Sequence, residues 1–298
     1  MNWIAAGLIS AFFLGCYDLV TKHAVRDNAV FPVLFFCNLC SALIWIALMC
    51  THAFKPALLP AHLVVDSLTP IQHLQLFAKS AMIAVGWVAS YFAIKHLPVS
   101  IASPIRASGP LWSLVGAIIV LGERPTWLEN LGVAVTLVSF LGLSLAGRGE
   151  GAQFHRNKWV GWLFFGTLIM GLSALYDKFL LGRLHLTTAT VQAWFSVYLA
   201  IIFFPLAVGW KLRWWPRNEF HWRWSVPMLS LTLLVSDFLY FESLRDPHVL
   251  VSLVSSIRRG STIVGFAGGL LFFREKNGLQ KLPAVIGILV GIVLTLLG

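Results

Sequence analysis

Charged residues are scarce in this chain. Asp, Glu, Lys and Arg make up 11% of the 298 residues, whereas hydrophobic residues make up 58%. A soluble domain normally has about 25% charged residues. The mean hydropathy is +0.81, and the stretches 131–146 and 282–298 contain no ionisable side chain. Because apolar runs approach the roughly 20 residues that a helix needs to cross a bilayer, the sequence predicts an integral membrane protein.

Signatures of catalysis and nucleotide binding are also missing. The chain has no Walker phosphate loop, no HExxH and no GxSxG motif, so it is not predicted to be an enzyme or to hydrolyse ATP. The four cysteines, Cys16, Cys37, Cys40 and Cys50, all lie in the first two apolar runs. Since no second thiol or His pair follows at ligand spacing, they are interpreted as packing residues. We therefore expect no metal and no cofactor.

The formal net charge of +10 does not indicate nucleic-acid binding. The basic residues are scattered between apolar runs and form no patch, which is typical of flanks that fix membrane topology. Five basic residues fall in loops on the side of the N-terminus and thirteen on the other side. By the positive-inside rule, both termini are predicted to be non-cytoplasmic. An inner (cell) membrane location is expected. The five basic residues on the side of the N-terminus are Lys55, Arg124, Lys178, Arg183 and Arg245. The thirteen on the other side are Lys22, Arg26, Lys95, Arg148, Arg156, Lys158, Lys211, Arg213, Arg217, Arg223, Arg274, Lys276 and Lys281.

The apolar pattern predicts an all-α membrane protein with ten transmembrane helices. Each run is predicted to be helical because lipid cannot satisfy open backbone groups. The runs are 3–21, 31–50, 74–94, 99–121, 128–146, 159–181, 188–208, 224–243, 249–273 and 282–298.

The ten runs divide into two similar halves. Residues 147–158 read as a linker between a first repeat, 1–146, and a second, 159–298. Tyr17-Asp18 recurs as Tyr176-Asp177, and residues 99–106 match residues 251–258 at five of eight positions. Because each half has an odd number of spans, the halves have opposite orientations. This inverted repeat is typical of secondary transporters, whose substrate site lies where the halves meet.

At this point the chain resembles the EamA-like, ten-span branch of the drug/metabolite transporter superfamily. The likeness lies in the hairpin 104–147 with its turn Leu121-Gly122-Glu123-Arg124-Pro125, and in Gly15 and Lys22 of the first span. The equivalent turn 272–276 keeps the acid Glu275 but has Arg274 in place of glycine. The resemblance implies a secondary transporter, an exporter or exchanger of small polar metabolites. The alternative is a membrane-embedded lipid-handling protein or enzyme.

Arginines inside two predicted spans are the first candidates for substrate binding. Arg106 and Arg258 occupy equivalent positions about eight residues into their spans, which is roughly 10 Å deep and too deep for easy snorkelling. Ser103 and Ser255 share the faces of these arginines. Ionisable groups at such depth are costly and indicate function. They favour a small-molecule substrate with an anionic or zwitterionic group.

Two acidic residues complete the candidate site. Asp18 and Asp177 lie near the ends of spans one and six, where spans four and nine begin, so the topology predicts the pairs Asp18–Arg106 and Asp177–Arg258. Such pairs either hold helices together or line the cavity, and the sequence leaves both readings open. Tyr91 and Tyr240 line the same cavity or belong to the interfacial aromatic belt.

Asp237 is the acid nearest the middle of any span. A carboxyl there suits proton coupling, unless the neighbouring Arg259 neutralises it in a fixed pair. Lys79 lies five residues into its predicted span and is expected to snorkel to the interface. Glu123 and Glu275 are expected to cap helices or contact loop residues.

Overall fold

The computed structural model describes residues 2–25, 28–96, 105–106, 108–145, 157–214, 219–246, 248–261, 263–264, 267 and 278–297. Across these ranges the chain is helical and has no strand, which confirms the predicted all-α class. The helices are α1 (Trp3–Val25), α2 (Val30–Phe54), α3 (Pro70–His96), α4 (Gly109–Gly116), α5 (Trp127–Leu145), α6 (Lys158–Lys178), α7 (Thr188–Lys211), α8 (Ser225–Leu244), α9 (Val251–Arg258) and α10 (Gly278–Leu297).

Six of these helices, α1, α2, α3, α6, α7 and α8, are long and apolar enough to cross a membrane. Shorter apolar stretches lie at Leu111–Leu121, Trp127–Ser139 and Leu282–Thr295. The count of ten transmembrane helices stays a prediction, as does the inverted repeat. Of the predicted linker, residues 147–156 lie outside the described residues. Helix α6 begins at Lys158, where the side chain of Asn157 accepts a hydrogen bond from the Trp159 backbone N–H at 3.0 Å.

The helices of the two predicted halves pack mainly against each other. Helix α1 contacts α8, α2 contacts α7, α3 contacts α6, and α5 contacts α10. The short helix α4 lies against α6, α9 lies against α1, and α4 and α9 also touch each other. The core between these elements is built largely from Leu, Val, Ile and Phe side chains. Residues that face this central region therefore come from both halves of the sequence.

Glycine makes the α5–α10 crossing unusually close. A Cβ atom added at Gly132 would lie 2.3 Å from Thr295 Oγ1, and one added at Gly291 would lie 2.3 Å from Thr136 Oγ1. Each threonine hydroxyl donates to a backbone carbonyl of its own helix at 2.9 Å: Thr136 to that of Gly132, and Thr295 to that of Gly291. Such small-residue contacts are typical of helix packing in membranes, where close backbone approach replaces the hydrophobic driving force.

Candidate functional site

A sealed ion pair joins α3 and α6. Lys79 is 1% exposed, and its Nζ lies 2.7 Å from Asp177 Oδ1, whose side chain is 7% exposed. The same ammonium lies 4.1 Å from the ring centroids of both Phe195 and Phe241. The carboxylate and the two ring faces thus surround the Lys79 charge, which compensates for the water it has lost.

The expectation that Lys79 snorkels to the interface was wrong. Helix α3 begins at Pro70 rather than at residue 74, so Lys79 lies nine residues beyond the helix start, about 14 Å along the axis. At that depth its side chain stays inside the protein and needs a buried counter-charge.

A second ion pair links α8 and α9. The Arg258 guanidinium lies 2.5 Å from Asp237 Oδ1 and donates to Ser236 Oγ at 3.3 Å. Its Cζ lies 4.1 Å from the centroid of the Tyr240 ring. The side chains of Arg258 and Asp237 are 19% and 14% exposed, so this pair is less sealed than that of Lys79 and Asp177.

These contacts correct the predicted pairing. Arg258 pairs with Asp237 rather than with Asp177, because Asp237 lies on the helix that packs beside Arg258. Asp177 already forms an ion pair with Lys79. The sequence offers Arg259 as an alternative neutralising partner of Asp237, whereas the structure shows Arg258 in this role. Asp177 still interacts electrostatically with both Arg258 and Asp237, so the two pairs belong to one charged cluster.

Asp18 adds a second residue of the first half of the chain to this cluster. It interacts electrostatically with Arg106, Arg259 and Arg258. No salt bridge within 4.0 Å joins Asp18 to Arg106, however, although the structure describes both residues. Arg106 is exposed. The predicted Asp18–Arg106 pair is therefore a long-range electrostatic contact in this structure.

Arg259 reaches toward α4, where glycine leaves room for it. A Cβ atom on Gly109 would lie 2.7 Å from Arg259 Nη2. The Nε of Arg259 is buried without a hydrogen-bond partner, and its guanidinium interacts electrostatically with Arg106 and Arg258. Arg259 thus brings a third arginine close to the two that the sequence had singled out.

Two tyrosines and one serine of the predicted site also lie in this region. The Tyr91 hydroxyl lies 3.3 Å from that of Tyr17, and Tyr240 is buried beneath Arg258. Ser255 is buried on α9. Ser103 lies outside the described residues. The structure therefore brings the described candidates from both halves into one region, with Lys79 and Arg259 added to it.

The described cluster has unequal charges. It contains four cationic side chains, Lys79, Arg106, Arg258 and Arg259, and three carboxylates, Asp18, Asp177 and Asp237. The exposed Arg106 supplies the excess cation, on a side chain that a ligand can reach. The excess of one positive charge therefore suits a ligand with an anionic group.

Contacts of Glu123 and Lys178 fix the start of α9, the helix that carries Arg258. Glu123 accepts hydrogen bonds from the Val251 N–H at 2.8 Å and the Ser252 hydroxyl at 3.2 Å, at the start of α9. Lys178 Nζ donates to the backbone carbonyls of Asp246 and Val249 at 2.5 and 2.7 Å. Glu123 therefore caps a helix of the opposite half, and Lys178 holds the loop before it. Glu275 lies outside the described residues.

The described ranges contain no group of three or more His, Cys, Asp or Glu side chains placed to hold a metal ion. The four cysteines are free. The charged cluster is thus made of ion pairs and hydrogen-bonding groups.

An all-helical chain with six helices of membrane-spanning length is an integral membrane protein. Residues 1–145 match the model of the EamA-like transporter family. This match over almost half of the chain supports the family resemblance indicated by the hairpin and turn motifs.

This chain is also similar to individual proteins. A probable terminal-alkyne amino-acid exporter of Streptantibioticus cattleyicolor is 28% identical over 114 residues, which are 38% of this chain and 37% of that protein. The chain thus matches little more than a third of that relative's length. A solved structure described as "Crystal structure of protein" has a TM-score of 0.76 at 13% identity, covering 99% of this chain and 98% of its own. That likeness shows a shared fold.

Proposed function

We propose that this protein is a secondary transporter that exports or exchanges small polar metabolites by alternating access. In this proposal ten transmembrane helices form two inverted halves, residues 1–146 and 159–298, and the substrate binds between them. The match of residues 1–145 to a transporter family model supports the general role. The absence of a nucleotide-binding motif means that an ion or substrate gradient has to supply the energy.

The helix packing supports the inverted repeat. When each helix is exchanged for its counterpart five helices away, the contact of α1 with α8 becomes the contact of α6 with α3. The contacts α2–α7, α5–α10 and α4–α9 map onto themselves, and α4–α6 maps onto α9–α1. A pseudo-twofold axis relating the halves requires this pattern, and such an axis is the basis of alternating access around a fixed site.

The positive excess of the charged cluster is the observation that carries the substrate proposal. Arg258 and Arg259 lie between the halves, and Arg106 interacts electrostatically with Arg259 across that boundary. A carboxylate or another anionic group on the substrate would be attracted to this extra positive charge and receive bidentate hydrogen bonds from a guanidinium. The amino-acid exporter among the relatives is consistent with a substrate that has a carboxylate.

Different parts of the cluster have different proposed roles. Asp18, Ser255, Tyr91 and Tyr240 lie near the arginines and are proposed to line the cavity, with Ser103 as the counterpart of Ser255. The Lys79–Asp177 pair is almost fully buried, so we assign it to holding α3 against α6. This assignment resolves the two readings of Asp177 in favour of a structural role.

Transport by reconstituted protein tests the proposal. Purified wild type, Arg106→Ala and Arg258→Ala are placed in liposomes and assayed for counterflow with a panel of amino acids, keto acids, dicarboxylates and sugar phosphates. We expect the wild type to exchange at least one compound and both variants to lose exchange while still inserting. Arg245→Ala is the matched control, because Arg245 is 54% exposed in a surface pair with Glu242. Undiminished exchange by both variants would contradict the proposal.

A further inference from the structure

A small polar cavity lies beside the Asp237–Arg258 ion pair, where α2, α7 and α8 meet. Its volume is about 10 Å³, which is room for a single water-sized group. The polar residues that line it are Asn38, Ser41, Gln192, Ser196 and Asp237. The first four are all at least 95% buried.

Each side-chain amide that lines the cavity donates a hydrogen bond from its NH2 group to a backbone carbonyl. Gln192 Nε2 donates to the Leu234 carbonyl at 2.7 Å, and Asn38 Nδ2 donates to the Leu34 carbonyl at 2.8 Å. Because a carbonyl only accepts hydrogen bonds, these contacts fix the orientation of both amides and leave their oxygens as the free ends. The Ser196 hydroxyl also donates to a backbone carbonyl, that of Gln192, at 2.9 Å.

One amide oxygen of the cavity, in contrast, lacks a hydrogen-bond donor. Gln192 is 1% exposed, and its Oε1 is buried without a hydrogen-bond partner. A buried acceptor without a partner costs free energy, so such an atom in a native protein calls for an explanation. Together with the Asn38 amide oxygen and the Asp237 carboxylate, Gln192 Oε1 makes a lining of acceptors with one negative charge. Its chemical complement is a compact cation with several N–H donors, and a primary ammonium has three.

We propose that this cavity is the ammonium subsite of a site for zwitterions. The substrate's ammonium binds Gln192, Asn38 and Asp237. Its carboxylate binds Arg258 and replaces Asp237 as the partner of that guanidinium. This inference rests on the proposed transport function and names the substrate class of that site. In the empty protein, Asp237 and Arg258 neutralise each other. A zwitterion replaces that one ion pair with two, so the net charge of the buried site does not change.

The two ion pairs of the cluster differ in a way that suits this exchange. The side chains of Asp237 and Arg258 are 14% and 19% exposed, whereas those of Lys79 and Asp177 are 1% and 7% exposed. Both Phe195 and Phe241 cover the Lys79 ammonium. A substrate therefore reaches the Asp237–Arg258 pair more easily than the sealed pair.

Counterflow with matched substrates tests the subsite. Full-length protein in liposomes is assayed with each of the twenty standard L-amino acids. The amino acid that exchanges fastest is then compared with its N-acetyl derivative, which keeps the carboxylate and loses the ammonium. We expect the derivative to compete at least about tenfold less well, and Gln192→Met and Asn38→Leu to raise the KM for the amino acid by about tenfold or more.

The control is Gln75→Met, which removes another amide whose Oε1 is buried without a partner but which lies outside this cavity. It should leave the KM unchanged. Melting temperatures of all variants show whether they fold, and the wild-type comparison of the two substrates does not depend on any variant.

Four outcomes overturn the inference. Equal competition by the N-acetyl derivative, or an unchanged KM in folded Gln192→Met and Asn38→Leu, would mean that the cavity holds only water. Exchange of keto acids, dicarboxylates or sugar phosphates without exchange of any amino acid would refute the ammonium subsite and leave the transport function standing. If no compound of either panel is exchanged, both proposals fail.

Discussion

The sealed Lys79–Asp177 pair allows a quantitative prediction. Removing one partner of a buried ion pair leaves an uncompensated charge and costs about 3–5 kcal/mol. Asp177→Asn is expected to cost this amount because the Lys79 ammonium stays between its two rings. Lys79→Met should cost more, since it also removes two cation–π contacts at 4.1 Å, each worth about 0.5–2 kcal/mol.

The double variant Lys79→Met/Asp177→Asn separates the ion pair from general packing effects. It leaves no buried charge at this position, so its loss of stability should be smaller than the sum of the single losses. We expect a coupling free energy of about 2 kcal/mol or more, in the upper range for residues in contact. The assay is equilibrium unfolding in mixed detergent micelles, with the free energy of unfolding compared across the four proteins.

A surface pair provides the reference. Arg245 and Glu242 approach to 3.8 Å, and their side chains are 54% and 32% exposed. The same set of single and double variants at this pair should therefore give a coupling free energy of less than about 1 kcal/mol. A coupling free energy for Lys79 and Asp177 no larger than that of the surface pair would refute the reasoning. The double variant should also retain transport, because the proposed substrate site does not include this pair.

The remaining predictions concern other parts of the chain. Burial raises the pKa of the Glu123 carboxyl above its ordinary value. Glu123 therefore stabilises the folded protein when the pH is below the ordinary pKa, and this stabilisation is lost as the pH rises through the raised pKa. As the pH rises through this range, the melting temperature of the wild type should fall relative to that of Glu123→Gln. A difference in melting temperature that does not change with pH would contradict this prediction. Gly291→Ala should reduce the yield of folded protein, because the new Cβ would meet Thr136 Oγ1 at 2.3 Å. Gly161→Ala is the control and should not reduce it, since nothing lies within 4 Å of a Cβ there. Equal yields of the two variants by size-exclusion chromatography would count against the close α5–α10 contact. If Asp237 couples transport to protons, transport by Asp237→Asn should no longer depend on pH, and a retained dependence would exclude that role. A reporter that works only in the cytoplasm should be inactive when fused to the C-terminus, and its activity there would reverse the predicted orientation.

Lys79 shows why the charged cluster could be predicted only in part. The sequence placed it near the interface because the apolar run starts at residue 74, but the polar first turn of α3 extends the helix back to Pro70. Hydropathy does not register such a turn. The presence of Asp177 in an otherwise apolar run was a signal that a buried cation was needed.

Partner choice within the cluster was also beyond the sequence. The repeat brought Asp177 and Arg258 to the same depth, and the structure places them close enough to interact electrostatically. Which carboxylate pairs with Arg258 depends on the direction of side chains on α8 and α9, where Asp237 is nearer. Asn38 and Gln192 were missed altogether, because a single neutral amide in an apolar helix has no characteristic spacing.

The sequence by itself determined the membrane environment, the helical class and the family, because each depends on composition, run length or local motifs. It also located the acids and arginines that are expensive to bury. Only the tertiary structure decided which charges pair, which pair is sealed by aromatic rings, and which amide oxygens are left without donors. Those properties arise from contacts between residues as far apart as Lys79 and Asp177 or Asn38 and Gln192, and such distances are set by how helices cross, which no local pattern specifies.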